Sequence, residues 1–327
     1  MRSYTLLAPA KINLYLEIVG DRPDGYHELV MVMQSVALYD QIEVRANGTE
    51  AIRLFCDHPL VPTDTTNLAY RAADLLRQTF PEAFGRYGGV DITLQKHIPV
   101  GAGLAGGSGN AAAVLVGLDL LWRLGLTQDE IQELGAQIGS DVPFCVSGGT
   151  ALATGRGEKI DSMPNLKSFP VILAKYRNLS VATAWAYKTY RQQFHDSYLC
   201  TPEDLECRRQ QLHSGPMMAA IAQGAIHKVA QHLHNDLEKV VLPAYPAVAR
   251  LRQHFQEAGC LGTMMSGSGP TVFGIAPSPT EATAIAHRIT EAIADPELDV
   301  WVTHAIGKGV HLAESAPSET SFYPTRR

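Results

Sequence analysis

The part of this sequence best suited to chemistry is a glycine-rich run that stands directly before a helix-like pattern. Five of its twelve residues are glycine, and glycine lets the backbone wrap closely around an anion. The start of a helix adds unpaired N–H groups and the positive end of the helix dipole. We therefore predict that the run binds phosphate. It consists of Pro99, Val100, Gly101, Ala102, Gly103, Leu104, Ala105, Gly106, Gly107, Ser108, Gly109 and Asn110.

Two better-known phosphate loops do not fit this run. Three of its glycines match the GxGxxG pattern of dinucleotide-binding folds, but that fold requires a second parallel strand soon after the helix. The sequence instead predicts a second helix over residues 127–138, in which Thr127 forms a capping box with Glu130. A Walker-type loop ends in Gly-Lys-Ser/Thr, whereas the nearest lysine, Lys96, precedes the run. A ligand-free turn remains the alternative for a short glycine pattern taken alone.

The elements around the run must position it. Apolar and polar residues alternate over 90–95, which predicts a strand that leads into the run. Alanines and apolar residues at helical spacing predict a helix from Asn110 to about Leu124. The predicted order is therefore strand, glycine turn, helix.

Other segments carry isolated polar residues. A period-two pattern predicts a strand over 12–19, with Lys11 just before it. Thr66 is predicted to cap a helix that runs through Phe80. We place His232 and His234 on a helix, where residues two apart point to different faces, so we predict no metal site there.

Three separated motifs together resemble the GHMP kinase superfamily, which includes galactokinase, homoserine kinase and mevalonate kinase. They are PAKINL at residues 9–14, the run with its helix start at 99–112, and MSGSGP at 265–270. The resemblance implies an ATP-dependent kinase of a small metabolite, with Mg²⁺ entering together with ATP. It also implies an α/β fold with two domains, the first like ribosomal protein S5 domain 2 and the second ferredoxin-like, with the active site between them.

Within the superfamily, the chain most resembles the branch whose substrate is a cytidine diphosphate derivative of methylerythritol in the non-mevalonate isoprenoid pathway. The segments that carry this resemblance are DGYHE at 24–28, GGSGNAA at 106–112 and GSDVPF at 139–144. The loop of that branch usually reads GGGSSNAA, and this chain departs from it at Ala105 and Gly109. A homoserine or mevalonate kinase, and a non-catalytic nucleotide-binding regulator on the same fold, are the alternatives.

The resemblance implies roles for individual residues. Asp141 would accept the hydroxyl proton, and Lys11 would polarise that hydroxyl and balance the carboxylate. Taken alone, Asp141 is equally suited to capping a turn and Lys11 to the protein surface. Asn67 and Leu68 would contact adenine. The resemblance implies that the substrate side would be formed by Asn13, Tyr26, His27, Thr183, Tyr187, Gly267 and Ser268.

Length and composition set the remaining expectations. With 327 residues, two domains are expected, and a cluster of linker residues near 164–170 places them at 1–165 and 166–312, followed by a flexible tail at 313–327. The net charge of −6 argues against a nucleic-acid partner. Five scattered cysteines suit reduced thiols. We expect a cytoplasmic monomer or weak homodimer that has no membrane segment and no resident metal.

Overall fold

A computed structural model describes residues 2–199 and 201–313 of the chain. Apart from residue 313, the predicted tail lies outside the described residues. The strands are β1 (Ser3–Asp21), β2 (His27–Ala46), β3 (Ile52–Cys56), β4 (Val90–Gln95), β5 (Thr150–Gly155), β6 (Lys159–Ser162), β7 (Pro170–Tyr176), β8 (His234–Asn235), β9 (Gly262–Met265), β10 (Val272–Ile275), β11 (Leu298–His304) and β12 (His311–Leu312).

The helices stand between these strands, and a short 3₁₀ turn at His195–Ser197 follows the sixth. They are α1 (Leu68–Thr79), α2 (Pro81–Tyr87), α3 (Gly106–Trp122), α4 (Gln128–Ile138), α5 (Val142–Ser147), α6 (Thr183–Phe194), α7 (Pro202–His213), α8 (Pro216–Ala222), α9 (Ile226–Gln231), α10 (Glu238–Ala244), α11 (Pro246–Glu257) and α12 (Pro279–Ile293).

A long antiparallel hairpin, β1 with β2, forms the centre of the first sheet. The order across this sheet is β12-β1-β2-β4-β3, with β5 also beside β2, β6 beside β5, and β8 beside β1. β1 extends well beyond the predicted strand at 12–19. Side chains alternate along a strand, so Lys11 and Asn13 project from the same face of β1.

The apolar residues of β1 contribute to three clusters of the core, and Leu16 and Ile18 lie in the one that also holds residues of α11 and α12. Leu6 and Ala8 pack with α3 residues such as Leu118, and close the core beneath the glycine run. Further along the same strand, Ile12 packs with Phe273 of β10. The hairpin therefore contacts both the helical layer and the second sheet.

The second sheet has the antiparallel order β11-β7-β10-β9, with helices α11 and α12 packed against it. β6 ends at Ser162 and β7 begins the new sheet at Pro170. Two later strands, β8 and β12, return to pair with β1 in the first sheet. The domain limits predicted from the sequence stay a prediction.

The structure corrects several predicted element ends. Asn67, not Thr66, caps α1, because Asn67 Oδ1 accepts a hydrogen bond from the backbone N–H of Ala69 at 2.9 Å. α3 begins at Gly106, four residues earlier than predicted, so the end of the glycine run is itself helical. The helix predicted over 127–138 is confirmed, with its capping box.

The predicted helix around His232 and His234 is wrong. α9 ends at Gln231, and His234 begins β8, which pairs with Tyr15 and Leu16 of β1. The partner strand lies more than 200 residues away in the chain, so no local pattern reveals it. His234 Nε2 lies 3.0 Å from an oxygen of Asp236.

Candidate active site

A cavity of about 820 Å³ lies between the glycine run, the β1–β2 hairpin and the start of α6. Side chains from both halves of the chain line it, as the sequence predicts for a site between domains. Every residue named above for ATP, catalysis or substrate lines this cavity except Gly109. Gly109 instead faces β1, where an added Cβ would lie 3.4 Å from the Cβ of Ala8.

Hydrogen bonds to two of its carbonyl groups hold the glycine run in place. The backbone N–H of Lys11 donates to the carbonyl of Leu104 at 3.1 Å. The Ser266 hydroxyl donates to the carbonyl of Gly103 at 3.0 Å. Gly103 has φ +74°, and a Cβ there would collide with the Ser266 carbonyl oxygen, so only glycine fits.

The run leads into the N-terminus of a 17-residue helix, α3. No side chain caps this end, because the N-cap position is occupied by Ala105. The first N–H groups of α3 are therefore left for a ligand, and the helix dipole favours an anionic one. This arrangement can cradle phosphate oxygens.

Lys11 lies beside the run, with its side chain almost fully buried. Its Nζ donates to Asn13 Oδ1 at 2.6 Å and lies 3.7 Å from Asp141 Oδ2. The Asp141 side chain remains partly exposed to the cavity. A buried cation, an amide and an accessible carboxylate therefore meet at one point of the wall.

Asp141 reaches this point from the N-cap position of the short helix α5. Its carboxylate makes no capping hydrogen bond with that helix. The side chain is therefore not committed to the turn, which was the structural alternative for this residue. It is available to a bound molecule.

The far end of the cavity is aromatic. The ring of Tyr187, on α6, lies 5.1 Å from the ring of His27, centre to centre. Tyr26 is about half exposed, and the guanidinium of Arg156 lies 5.1 Å from its ring centre. A flat ligand could contact the exposed tyrosine ring.

His27 is an inward-facing residue. Burial lowers the pKa of its imidazole to about 4, and the nearby positive charge of Arg191 acts in the same direction. Its Nε2 atom is buried and, within residues 2–199 and 201–313, has no hydrogen-bond partner. The imidazole is therefore neutral near pH 7. Burial also raises the pKa of the Tyr187 hydroxyl, as does the charge of Asp141.

Asn67 and Leu68 also line the cavity, as does the exposed Leu60. The side chain of Asn67 is already committed on both sides. Its oxygen caps α1, and its Nδ2 donates to the carbonyl of Pro62 at 2.6 Å. Its contact with adenine stays a prediction. The side chain caps α1 and binds the Pro62 carbonyl whether or not adenine is bound.

A lysine beneath the glycine run had no assigned role in the sequence analysis. Lys96 pairs with Asp40, which is fully buried, and its Nζ donates to Asn110 Oδ1 at 3.0 Å. Asn110 Nδ2 in turn donates to Asp40 at 2.8 Å. The signal in the sequence was an aspartate at the centre of an otherwise strand-like segment, which a buried partner must balance.

Other residues of the wall were also missed. They are Leu16, Gly25, Leu29, Met31, Leu60, Val61, Pro62, Thr66, Ser140, Arg156, Ala184, Lys188 and Arg191. Most come from elements that the fold alone brings to the cavity.

In residues 2–199 and 201–313, no group of three or more His, Cys, Asp and Glu side chains is arranged to hold a metal ion. None of the helices in these ranges could span a membrane.

Comparison with known proteins shows the family of the chain. Residues 67–149 match the GHMP kinase N-terminal domain, and residues 217–295 match the GHMP kinase C-terminal domain. A crystal structure of 4-(cytidine 5'-diphospho)-2C-methyl-D-erythritol kinase superposes with a TM-score of 0.71 at 31% identity, covering 93% of this chain and all of that one. A homoserine kinase from Cytophaga hutchinsonii has a TM-score of 0.74 at 18% identity, covering 96% of this chain and 98% of its own, and so shares the fold.

The curated relatives are much closer in sequence. The 4-diphosphocytidyl-2-C-methyl-D-erythritol kinase of Nostoc punctiforme is 59% identical over 96% of this chain and all of its own length. The enzyme of the same name from a Synechocystis strain is 58% identical over 95% of this chain and 99% of its own. The chain belongs to the 4-diphosphocytidyl-2-C-methyl-D-erythritol kinase family. Membership of this GHMP kinase family confirms the predicted two-domain fold.

Proposed function

We propose that this protein transfers the γ-phosphoryl group of ATP to the 2-hydroxyl of 4-diphosphocytidyl-2-C-methyl-D-erythritol. The observation that carries this proposal is the position of Lys11 and Asp141. They meet on the wall of a cavity that is also lined by the start of α3, which we propose binds phosphate, and by the aromatic residues Tyr26 and Tyr187. Family membership supports the choice of reaction and substrate.

Asp141 is the proposed general base. Its carboxylate is accessible and makes no capping bond, so it can accept the proton of a substrate hydroxyl. Lys11 lies 3.7 Å away and would polarise the same hydroxyl while it offsets the charge of the carboxylate. Asn13 orients Lys11 through the 2.6 Å hydrogen bond and would help place the hydroxyl.

The glycine run would hold the triphosphate with backbone N–H groups at the start of α3. Mg²⁺ would enter with ATP and neutralise phosphate charge, as it does in phosphoryl transfer generally. It prefers oxygen donors and usually takes only one or two from the protein. The Ser108 hydroxyl and the Asp141 carboxylate are oxygen donors on the cavity wall, so the wall fits this requirement.

The aromatic end would hold the cytidine diphosphate portion. Tyr26 offers an exposed ring for stacking, and Tyr187 packs on His27 beside it. Three cationic residues, Arg156, Lys188 and Arg191, line the same cavity and favour an anionic diphosphate. The hydroxyl groups of Thr183 and Ser268 lie 2.9 Å apart. This contact joins α6 to the MSGSGP segment at 265–270 on the proposed substrate side.

A substrate screen for ATP-coupled turnover tests the proposal. We expect ADP formation with 4-diphosphocytidyl-2-C-methyl-D-erythritol and none above background with homoserine or mevalonate. CDP alone should raise the melting temperature, because only a cytidyl site binds it. Turnover of homoserine or mevalonate instead would identify another GHMP kinase. ATP binding without turnover of any of the three would favour a non-catalytic regulator.

A further inference from the structure

Residues 21–27, which join β1 to β2, form a turn that carries Tyr26 and His27; we call it the base turn. Its backbone closes through a hydrogen bond from the Arg22 N–H to the Tyr26 carbonyl at 3.0 Å. Asp24 Oδ1 accepts from the backbone N–H of Tyr26 at 3.1 Å. The Arg22 side chain holds Asp24, with 3.1 Å between Nε and Oδ2. The base turn is therefore braced by an arginine of its own.

That arginine is in turn held by a buried carboxylate outside the cavity. Arg22 Nη1 donates to Glu28 Oε2 at 2.8 Å, and the Glu28 side chain is almost fully buried. The other oxygen of Glu28 accepts from Arg209, which lies on α7. One carboxylate thus links a helix from the second half of the chain to the turn that carries Tyr26.

A second ion pair joins α7 to the same hairpin without touching the base turn. Arg208, the neighbour of Arg209, donates to both carboxylate oxygens of Glu17 on β1, at 2.9 and 3.1 Å. Both are arginine–glutamate pairs that join α7 to the hairpin, Arg208 to β1 and Arg209 to β2. Only the Arg209–Glu28 pair continues through Arg22 to Tyr26.

We propose that Arg209 and Glu28 are positioning residues that hold Tyr26 in place for the nucleobase. A buried carboxylate that loses one of two cations is left under-compensated and draws more strongly on the other. Without Arg209, the Arg22 guanidinium moves toward Glu28 and releases Asp24. The backbone of Tyr26 then loses its fixed acceptor, and the ring samples more orientations. This inference rests on the proposed function, because it assumes that a cytidyl group binds at Tyr26.

The test compares Arg209→Gln with Arg208→Gln as the matched control. Titration calorimetry measures the Kd for CDP, and steady-state assays measure kcat and both KM values. We expect Arg209→Gln to raise the Kd for CDP and the KM for the cytidyl substrate about tenfold, the factor for one charge-assisted hydrogen bond. The KM for ATP and kcat should change less than about twofold. Arg208→Gln should leave all four values near wild type.

A conservative substitution of Arg209 and a substitution of its partner Glu28 distinguish a positioning role from a role in folding. Arg209→Lys keeps the charge and should recover most of the CDP affinity, whereas Glu28→Gln should reproduce the loss. The double variant Arg209→Gln/Glu28→Gln should be no worse than either single variant, since both act on one link. Melting temperatures measured alongside identify any variant that fails to fold.

Equal weakening of CDP binding by Arg208→Gln and Arg209→Gln would overturn the proposal, because docking of α7 in general would then be what matters. Unchanged CDP affinity in both Arg209→Gln and Glu28→Gln would also overturn it. In that case, CDP binding by the wild type would still support the proposed function. Absence of CDP binding by the wild-type protein would contradict both the proposed function and the positioning role of Arg209 and Glu28.

Discussion

Lys11 and Asp141, 130 positions apart in the chain, face each other with 3.7 Å between the lysine Nζ and a carboxylate oxygen. The lysine is buried and the aspartate is partly open to the cavity. This difference suits a division of labour, because the exposed carboxylate can reach a substrate proton while the buried ammonium keeps a fixed place.

Replacement of Asp141 by asparagine is expected to abolish nearly all turnover and to leave ATP affinity within a few fold. The amide keeps the shape of the side chain but cannot accept the hydroxyl proton, and a general base typically contributes about 10²–10⁴-fold. No helix cap is lost, because the carboxylate makes no capping bond. Single-turnover kinetics and ATP titration measure the two effects. Wild-type turnover would refute the role of base.

Gly267 sets the space around Lys11. A Cβ at this position would lie 3.3 Å from both Lys11 Nζ and Asn13 Oδ1. Gly267→Ala should therefore shift the ammonium by a few tenths of an ångström and lower kcat, by less than the roughly 100-fold expected for a 1 Å misplacement. Gly224→Ala is the control, because Gly224 has a similar φ of +62° but nothing within 4 Å of an added Cβ. Equal kcat in the two variants would argue against this close packing.

Breaking the Lys96–Asp40 pair is expected to destabilise the fold strongly. Asp40 is fully buried, so Lys96→Met leaves an uncompensated charge and should lower the free energy of unfolding by about 3–5 kcal/mol. Arg177→Met, at an exposed pair with Asp299, should cost less than about 1 kcal/mol. Denaturant unfolding compares them. Adding Asp40→Asn to Lys96→Met should recover part of the loss; if it does not, the buried charge is not the cause.

His27 gives a pH dependence of defined sign. Burial lowers its pKa from 6.5 to about 4 in the folded protein. As the pH falls through this window, the unfolded chain binds a proton at His27 and the folded chain does not, so stability is lost. Relative to His27→Gln, the wild type should lose free energy of unfolding between pH 6.5 and pH 4. If the free energies of unfolding of the two proteins changed in parallel with pH over that interval, the pKa of His27 would not be lowered in the folded protein.

Ala105 occupies a left-handed conformation at the N-cap of α3, with φ +57°. An L-residue pays about 1–2 kcal/mol for this conformation and glycine does not, although glycine costs more chain entropy. We expect Ala105→Gly to raise the free energy of unfolding by up to about 1 kcal/mol. Ala294→Gly, at φ +48° at the C-terminal cap of α12, should do the same. If Ala294→Gly raised the free energy of unfolding and Ala105→Gly did not, Ala105 would not be strained in the folded protein.

Local patterns were enough for several features. The capping box at Thr127 and the strand before the glycine run were predictable because their signals lie within a few residues of one another. The family, and with it the two-domain fold, followed from motifs at both ends of the chain. The candidate residues could be named for the same reason, although their roles stay predictions.

Where those residues meet was decided by tertiary structure. β8 is a strand because β1 supplies its partner, and the local sequence around His234 had suggested a helix. Lys96 finds Asp40, and Arg209 finds Glu28, through contacts between segments 56 and 181 positions apart. The free energy of such pairs comes from burial and charge balance in the folded chain. Sequence alone therefore determined which groups are present, and packing decided which of them share a low-dielectric site.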